Sequence, residues 1–531
     1  MCYKRQESDI DAGNVRMIQY NKLYGGRFIT VALFSILSIA GIAFSVYLFY
    51  VANSFYAYLL AASFTALSII AGFFNIYAST LYFKSYTYGK HFEKLRASLK
   101  PISRFPSVAV AIPVFNEEPA MVEENVKSFK SLSYPKNKLK FYLVDDSTDP
   151  AIRKGLEAVA KRQGLAYLHR NERKGFKAGA INEMAKVSKE EFIAIFDSDE
   201  TLINNRFLLD LLPYFENQKV SYVQTEKRYK KGTFFSESID IFDAFFFNFI
   251  QPARALNNTA IFAGSCGLIR KSAFEDIGGF PEYIIEDTFF SFESDMHGWQ
   301  SLYVPECYAK GRPVYTFTEL AKQQWRYNYG DTQFLSYYFK RGGYRKMSPL
   351  SNVEYTVHGF GLNYLSTILI LFTVVSALIV FTTLPFAHVD LKSLILQNQW
   401  GVDLETLGFF AFTLSLLTPA LLTRVYFGSW KKGFMVFLLN YALAFVRAKA
   451  AVSTLLRRNP AMKWNKHKDS LVTEKRILTV LSDTKMEVVF GVSMFTLSLL
   501  ALSQLNLAGG VWLFWYGILY FLAAFFLYKY G

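Results

Sequence analysis

Two apolar blocks bracket a long stretch of mixed polarity. Residues 28–51 (FITVALFSILSIAGIAFSVYLFYV) run without a charge, and residues 57–83 form a second such run. Each exceeds the roughly 20 apolar residues a helix needs to cross a bilayer. The connector at 53–56 has no Lys or Arg, whereas Lys84, Lys90, Lys94, Arg96 and Lys100 follow the second run. By the positive-inside rule the connector is outside and both flanks are cytoplasmic. A later block begins near Gly359, with spans expected at 359–386, 406–426, 488–506 and 510–528. The loop 387–405 is poor in Lys and Arg and is assigned outside. Residues 433–454 are apolar but interrupted by Arg447 and Lys449, and basic residues flank them on both sides. A single crossing would put one basic flank on the wrong side. This segment is therefore expected to be interfacial or re-entrant, with its Lys and Arg at headgroup level. The pattern predicts six spans, two before and four after the central stretch, with both termini inside.

The central stretch, 84–357, has no run long enough to span. Short apolar strands are predicted at 107–114, 139–144 and 191–196, with a shorter one at Tyr167–Leu168. Helical patterns fall at 119–131, 150–163 and 178–187. Continuous apolar strands alternating with helices argue for a mainly parallel α/β sheet covered on both faces. The chain thus divides into a tail with two membrane helices (1–83), a cytosolic α/β domain with interfacial helices (84–357) and a C-terminal membrane domain (358–531).

Composition supports this division. Hydrophobic residues make up 52% of the 531 positions and charged residues only 19%, against about 25% in soluble domains. Disorder and fibrous repeats are excluded, and a wholly soluble enzyme fits poorly. The net charge of +15 sits largely in loops flanking the membrane, where it sets topology and binds anionic lipid. No nucleic-acid-binding module accompanies it. Cys2, Cys266 and Cys307 are too far apart for a disulfide framework or a CxxC site, and no HExxH pair occurs.

In parallel sheets ligands sit at the carboxyl ends of strands. Two predicted strands end there in acid clusters: Asp145, Asp146 and Asp149 after the second, Asp197 and Asp199 after the last. Acids after a strand also serve as turn formers and helix caps. Two clusters on neighbouring strand ends favour ligand binding. Asp197 and Asp199, one residue apart, suit one hard cation that also takes phosphate oxygens. Asp146 sits where it can accept from a base or ribose, and Lys177, opening a helix, can pair with phosphate. Gly264 and Ser265 are small residues that admit a ligand close to backbone. Glu286 and Asp287 precede a helix, where the dipole favours an ionised carboxylate and a positioned base. Gln323, Trp325, Arg326 and Tyr327 lie on an amphipathic helix just before the second apolar block.

Six ordered signatures tie these residues to a known pattern. They are Ile-Pro-Val-Phe-Asn-Glu (112–117), Asp-Asp-Ser-Thr-Asp (145–149), Arg-Lys-Gly-Phe-Lys-Ala-Gly-Ala (173–180), Asp-Ser-Asp (197–199), Glu-Asp (286–287) and Gln-Gln-Trp-Arg-Tyr (323–327). Together they resemble the processive, membrane-embedded, inverting family 2 glycosyltransferases, the group of cellulose synthase, mannan synthase-like proteins and hyaluronan synthase. Residues 464–475 also look like a cytoplasmic stretch of the mannan synthase-like members. The resemblance implies a cytoplasmic GT-A domain against a channel of membrane helices; for such a multi-pass protein the plasma membrane is the simplest location. It implies a nucleotide-diphosphate sugar donor, with uridine preferred, and Mg²⁺ or Mn²⁺ at Asp197 and Asp199. Pro113, Glu117, Asp145, Asp146, Lys177, Asp197, Gln323 and Arg326 would hold the donor. Asp287, beside Glu286, would be the base. Gly264, Ser265, Trp325 and Tyr327 would meet the acceptor. The sequence departs from the pattern at Tyr327, where Trp is usual, and at Glu293, where many members are basic.

Three functions remain open at this level. A growing β-linked polysaccharide or a single ceramide- or polyprenol-like lipid can be the acceptor. A silent nucleotide-sugar sensor or export partner is the third, against which the intact Asp197, Asp199 and Asp287 argue. Oligomeric state is not legible.

Overall fold

A computed structural model describes residues 55–359, 428–456, 484–504 and 507–530, with isolated positions between 36 and 50 and at 370 and 374. The expected spans at 359–386 and 406–426, the loop 387–405 and residues 464–475 lie outside the described residues, as does most of the run 28–51. Helices of eight or more residues are numbered here.

The chain enters on one long helix, α1 (Phe55–Ser98), which carries the second apolar run and continues past it into the polar domain. The domain then alternates: β1 (Val108–Val114), α2 (Pro119–Phe129), β2 (Leu139–Asp145), α3 (Pro150–Gln163), β3 (Ala166–His169), α4 (Phe176–Val187) and β4 (Phe192–Ile195). After a short β5 (Thr201–Leu202) come β6 (Val220–Tyr229), α5 (Phe234–Phe245), β7 (Gly267–Arg270), α6 (Glu286–Met296), β8 (Gln300–Gly311) and α7 (Phe317–Lys340). Beyond α7 the described helices are α8 (Trp430–Ala442), α9 (Ala444–Leu455), α10 (Lys485–Ser503) and α11 (Leu507–Tyr530).

The eight strands form one sheet in the order β3-β2-β1-β4-β7-β6-β8-β5. Strands β3, β2, β1 and β4 are all parallel. β7 then runs antiparallel between β4 and β6, and β6 pairs parallel with β8. The sheet is a Rossmann-like half joined to a mixed half, the GT-A arrangement, rather than parallel throughout. Side chains alternate along a strand, and β1 shows why its run is continuously apolar. Val108, Val110 and Ile112 enter a core with Phe129, Leu143 and Phe196, while Ala109 and Ala111 enter another with Tyr142, Ile181 and Phe290.

Local chemistry sets the boundaries. Asp149 caps α3 by accepting from the backbone N–H groups of Ala151 and Ile152, and Gly164, left-handed at φ +63°, ends it. α4 starts at Phe176, two residues before the pattern predicts, because Gly175 turns left-handed at φ +68°.

Three described helices are long and apolar enough to cross a membrane: Trp430–Leu455, Lys485–Ser503 and Leu513–Tyr530. The first is α8 and α9 in series, meeting at Leu443. Arg447 on α9 does not face outward from the helix. It is buried, donating to Asn440 Oδ1 at 3.2 Å and to Gln324 Oε1 at 3.4 Å, above the Phe242 ring. Two amides and an aromatic face replace water around the guanidinium, so α9 backs onto α7. Lys449, by contrast, is exposed.

Candidate active site

The carboxyl ends of β1, β2 and β4 share one rim of the sheet, since Val114 pairs with Asp145 and Ala111 with Ile195. Two loops on that rim are stapled together. Asn116, left-handed at φ +50°, accepts on Oδ1 from the backbone N–H groups of Thr148 (2.9 Å) and Asp149 (3.1 Å). Its own N–H donates to Ser147 Oγ at 2.8 Å. Asp145 is turned inward and fully buried, accepting from Ser147 N (2.8 Å) and Tyr167 Oη (2.6 Å). Both of its oxygens are engaged in shaping the loop. Asp146, next along the chain, is also buried, with Arg170 forked onto it at 2.7 and 2.5 Å. Pro113 lies within β1, and Glu117 is buried just before α2.

Beyond β4 the chain turns at Asp197-Ser198-Asp199-Glu200. Asp197 and Asp199 stay half-buried, facing the rim. Lys177 Nζ lies 2.5 Å from Asp197 Oδ1, and Lys227 Nζ lies 3.5 Å from Oδ2. Burial alone lowers both lysines, yet the facing carboxylates hold their pKa values above normal. Glu200, buried beneath them, accepts from Asp197 N at 2.9 Å and from Ser265 Oγ at 2.7 Å. Lys227 also donates to Ser265 Oγ at 2.6 Å. Ser265 is therefore buried and engaged inside this network.

Loop 260–266 carries Gly264 against the candidate base. The backbone N–H of Ala263 donates to Gln224 Oε1 and that of Phe262 to Ser291 Oγ, while Ser291 donates to the carbonyl of Asp287. One serine thus ties the loop to the head of α6. Gly264 is left-handed at φ +81°, and a Cβ there would lie 3.2 Å from Asp287 Oδ2 and 3.7 Å from Lys177 Nζ. Glu286, Asp287 and Lys177 therefore converge with Gly264. Burial raises the Glu286 carboxyl to about 7, helped by Asp287 alongside. Burial also raises Asp287, opposed by the Thr288 N–H that it accepts at 2.8 Å and by Lys177, Lys227 and Arg326. The acid pair sits among cations and titrates above ordinary carboxylates.

α7 closes the site. Gly330 lets it approach closely, since a Cβ there would meet Ile285 at 2.7 Å, one residue before Glu286. Phe289, Phe292, Phe334 and Tyr338 fill the α6–α7 contact. Glu293 is buried and forked by Arg341, the C-cap of α7, at 2.8 and 2.6 Å, with Tyr337 donating at 2.6 Å. Its charge is matched across the helix pair. On the site face of α7, Gln323 donates to Tyr327 Oη at 3.2 Å, and Tyr327 is 37% exposed. Arg326 stands near Glu286, Asp287 and Arg173. Trp325 does not join them. Two residues from Tyr327 is about 200° around a helix, and Trp325 stacks instead on Tyr329 at 5.2 Å.

Four contributors escape a sequence reading: Arg170, Glu200, Lys227 and Ser291. Each has at least one partner more than 20 residues away. Only Glu200, directly after Asp-Ser-Asp, stands beside a visible motif.

Among the described residues no three His, Cys, Asp or Glu side chains converge as a metal cage. Two half-buried carboxylates on one turn do fit a cation that takes its other oxygens from a diphosphate.

Comparison with known proteins bears on the same residues. Positions 109–278 match the model of glycosyl transferase family 2. The cellulose synthase catalytic subunit [UDP-forming] of Pseudomonas fluorescens is 27% identical over 236 residues, 43% of this chain and 31% of that protein. A probable glucomannan 4-beta-mannosyltransferase 7 of Oryza sativa subsp. japonica is 30% identical over 43% of this chain and 40% of its own length. Glucomannan 4-beta-mannosyltransferase 1 of Cyamopsis tetragonoloba is 24% identical, covering 72% of this chain and 71% of its own. A mannosyltransferase from Pyrobaculum calidifontis, solved with GDP-Man and Mn²⁺, superposes at TM-score 0.46 with 16% identity, over 72% of this chain and 99% of its own. The matches to the cellulose synthase subunit and to the rice protein span less than half of those relatives' lengths.

Proposed function

We propose that this chain, whose residues 109–278 form a glycosyltransferase family 2 domain, elongates a β-linked polysaccharide from a nucleotide-diphosphate sugar, with inversion, and passes it through its membrane helices. The observation that carries this reading is Asp287. It is a carboxylate at a helix head, placed against Gly264 and flanked by the cations that a leaving diphosphate requires.

In one displacement Asp287 takes the proton of an acceptor hydroxyl. The acceptor oxygen forms its bond to the anomeric carbon as the bond to the diphosphate oxygen breaks, and the nucleoside diphosphate departs with that electron pair. Arg326 and Lys177 stabilise the departing charge. A divalent cation held by Asp197 and Asp199, Mg²⁺ or Mn²⁺, would supply further charge compensation when bound. Asp146 and the loop stapled by Asn116 hold the nucleoside. Tyr327 offers an aromatic face to the acceptor sugar. The protein is read as multi-pass in the plasma membrane, with this domain cytoplasmic.

A second reading, transfer of one sugar to a membrane lipid, draws on Tyr327, a smaller platform than the Trp usual there. The intact acids speak against a silent sensor.

The test uses purified protein in lipid, supplied with a nucleotide sugar and Mn²⁺ or Mg²⁺. Asp287→Asn abolishes transfer while nucleotide binding persists. Transfer at the wild-type rate in that variant removes Asp287 from the base role.

A further inference from the structure

Arg173 belongs to none of the roles described so far. It lies in the loop before α4, with its guanidinium 3.5 Å from the centroid of the Phe115 ring and 5.1 Å from that of Phe176. Its nearest anion is Asp146, at 3.9 Å from Nε, beyond hydrogen-bond reach. Both Asp146 oxygens are already engaged by Arg170. Arg173 Nε is buried and lacks a hydrogen-bond partner. A buried guanidinium N–H without an acceptor is costly.

The surroundings hold it in place. Phe115 directly follows β1 and precedes Asn116, whose side chain fastens this loop to residues 148–149. Phe176 is itself left-handed at φ +50°, a conformation uncommon for a bulky residue, and strain of this kind concentrates where a ligand is clamped. Arg173 is also flanked by Arg326, toward the expected diphosphate, and by Asp146, toward the expected nucleoside. The fork is flat, fixed and short of acceptors on the nucleoside side of the site.

We propose that Arg173 is a donor-specificity residue, presenting its N–H edge to hydrogen-bond acceptors on the nucleobase. The inference rests on the donor-site reading above and deepens it. Guanine offers the O6/N7 pair and uracil offers O4, whereas adenine places its N6 amino donor beside N7. The shared chemistry is an acceptor-bearing base edge, and it excludes adenine. Stacking on Phe115 pre-orients the fork, so Lys cannot replace it.

The test is equilibrium binding to the full-length protein in lipid with Mn²⁺, using GDP, UDP, ADP and inorganic pyrophosphate. The wild type should bind GDP or UDP roughly tenfold or more tightly over ADP. Arg173→Lys and Arg173→Ala should erase that margin and leave pyrophosphate affinity unchanged. A matching melting temperature for Arg173→Lys shows that the fold is intact. A larger loss for GDP marks the two-acceptor edge, and a larger loss for UDP the single one. ADP binding as tightly as both others overturns the inference. So does a margin that survives Arg173→Lys, or pyrophosphate affinity that falls in step with the nucleotides. If pyrophosphate binds and no nucleoside diphosphate adds affinity over it, the donor-site reading itself fails.

Discussion

Gly264→Ala is the sharpest small perturbation of the site. Two costs follow from its geometry. At φ +81° an L-residue is left-handed, which disfavours Ala by about 1–2 kcal/mol. The new methyl would also sit 3.2 Å from Asp287 Oδ2, so the carboxylate must shift by a few tenths of an ångström. Lys177 Nζ lies 3.7 Å from the same point, an ordinary van der Waals contact. A misplacement approaching 1 Å can cost on the order of 100-fold in rate. A shift of a few tenths, together with a methyl in the acceptor's path, should therefore lower kcat by about 10- to 100-fold. Stability should fall by only the backbone term, a drop in Tm of about 2–8 °C. The assay is nucleoside diphosphate release at saturating donor, beside a melting curve of the same preparation. Turnover within twofold of wild type, at a lowered Tm, would show that Gly264 does not face the reacting groups.

Other outcomes follow from the same geometry. Turnover should rise with pH as Asp287, held by burial above the ordinary carboxylate range, loses its proton, and Glu286→Gln should move that limb to lower pH by removing the neighbouring acid. Stability should run the other way. The folded protein holds the Glu286 proton between the ordinary 4.5 and about 7, so its contribution falls as pH rises across that window, and Glu286→Gln should flatten the fall in Tm. Asp199→Ala should weaken Mn²⁺-dependent nucleotide binding by tenfold or more, and activity that survives thorough chelation would remove the cation from the reaction. Arg341→Met leaves the buried Glu293 carboxylate with Tyr337 as its remaining short partner. Because Arg341 is itself 47% exposed, the cost should be about 1–2 kcal/mol in thermal unfolding, and no measurable change would discount the α6–α7 clamp.

The Rossmann-like half was open to a sequence reading because local rules decide it. β1 is buried on both faces and so reads as Val, Ala and Ile interrupted only by Pro113, and Asp149 before Pro150 marks a helix start. The strand-end acids were legible for the same reason, their position following from the strand's end. The antiparallel β7 was not, since its four residues pair with β4 and β6 across long gaps. Lys227 reads as part of a solvated Lys/Arg run, and only the fold brings it to Asp197 and Ser265. Arg447 reads as an outward-facing cation, and only the fold brings Gln324 to it. Trp325 falls within a recognisable motif, yet helical rotation turns it away from Tyr327. Long-range pairs and helix facing, rather than residue types, separate what can be read from what must be built.

The central claim is that this domain builds a polymer. Purified protein in lipid, with Mg²⁺ or Mn²⁺, is given a panel of radiolabelled nucleotide sugars, and nucleoside diphosphate release and product size are read together. The account predicts one donor that yields a high-molecular-weight, glycosidase-sensitive product. A single sugar on extractable lipid, or no turnover with any donor, would contradict it.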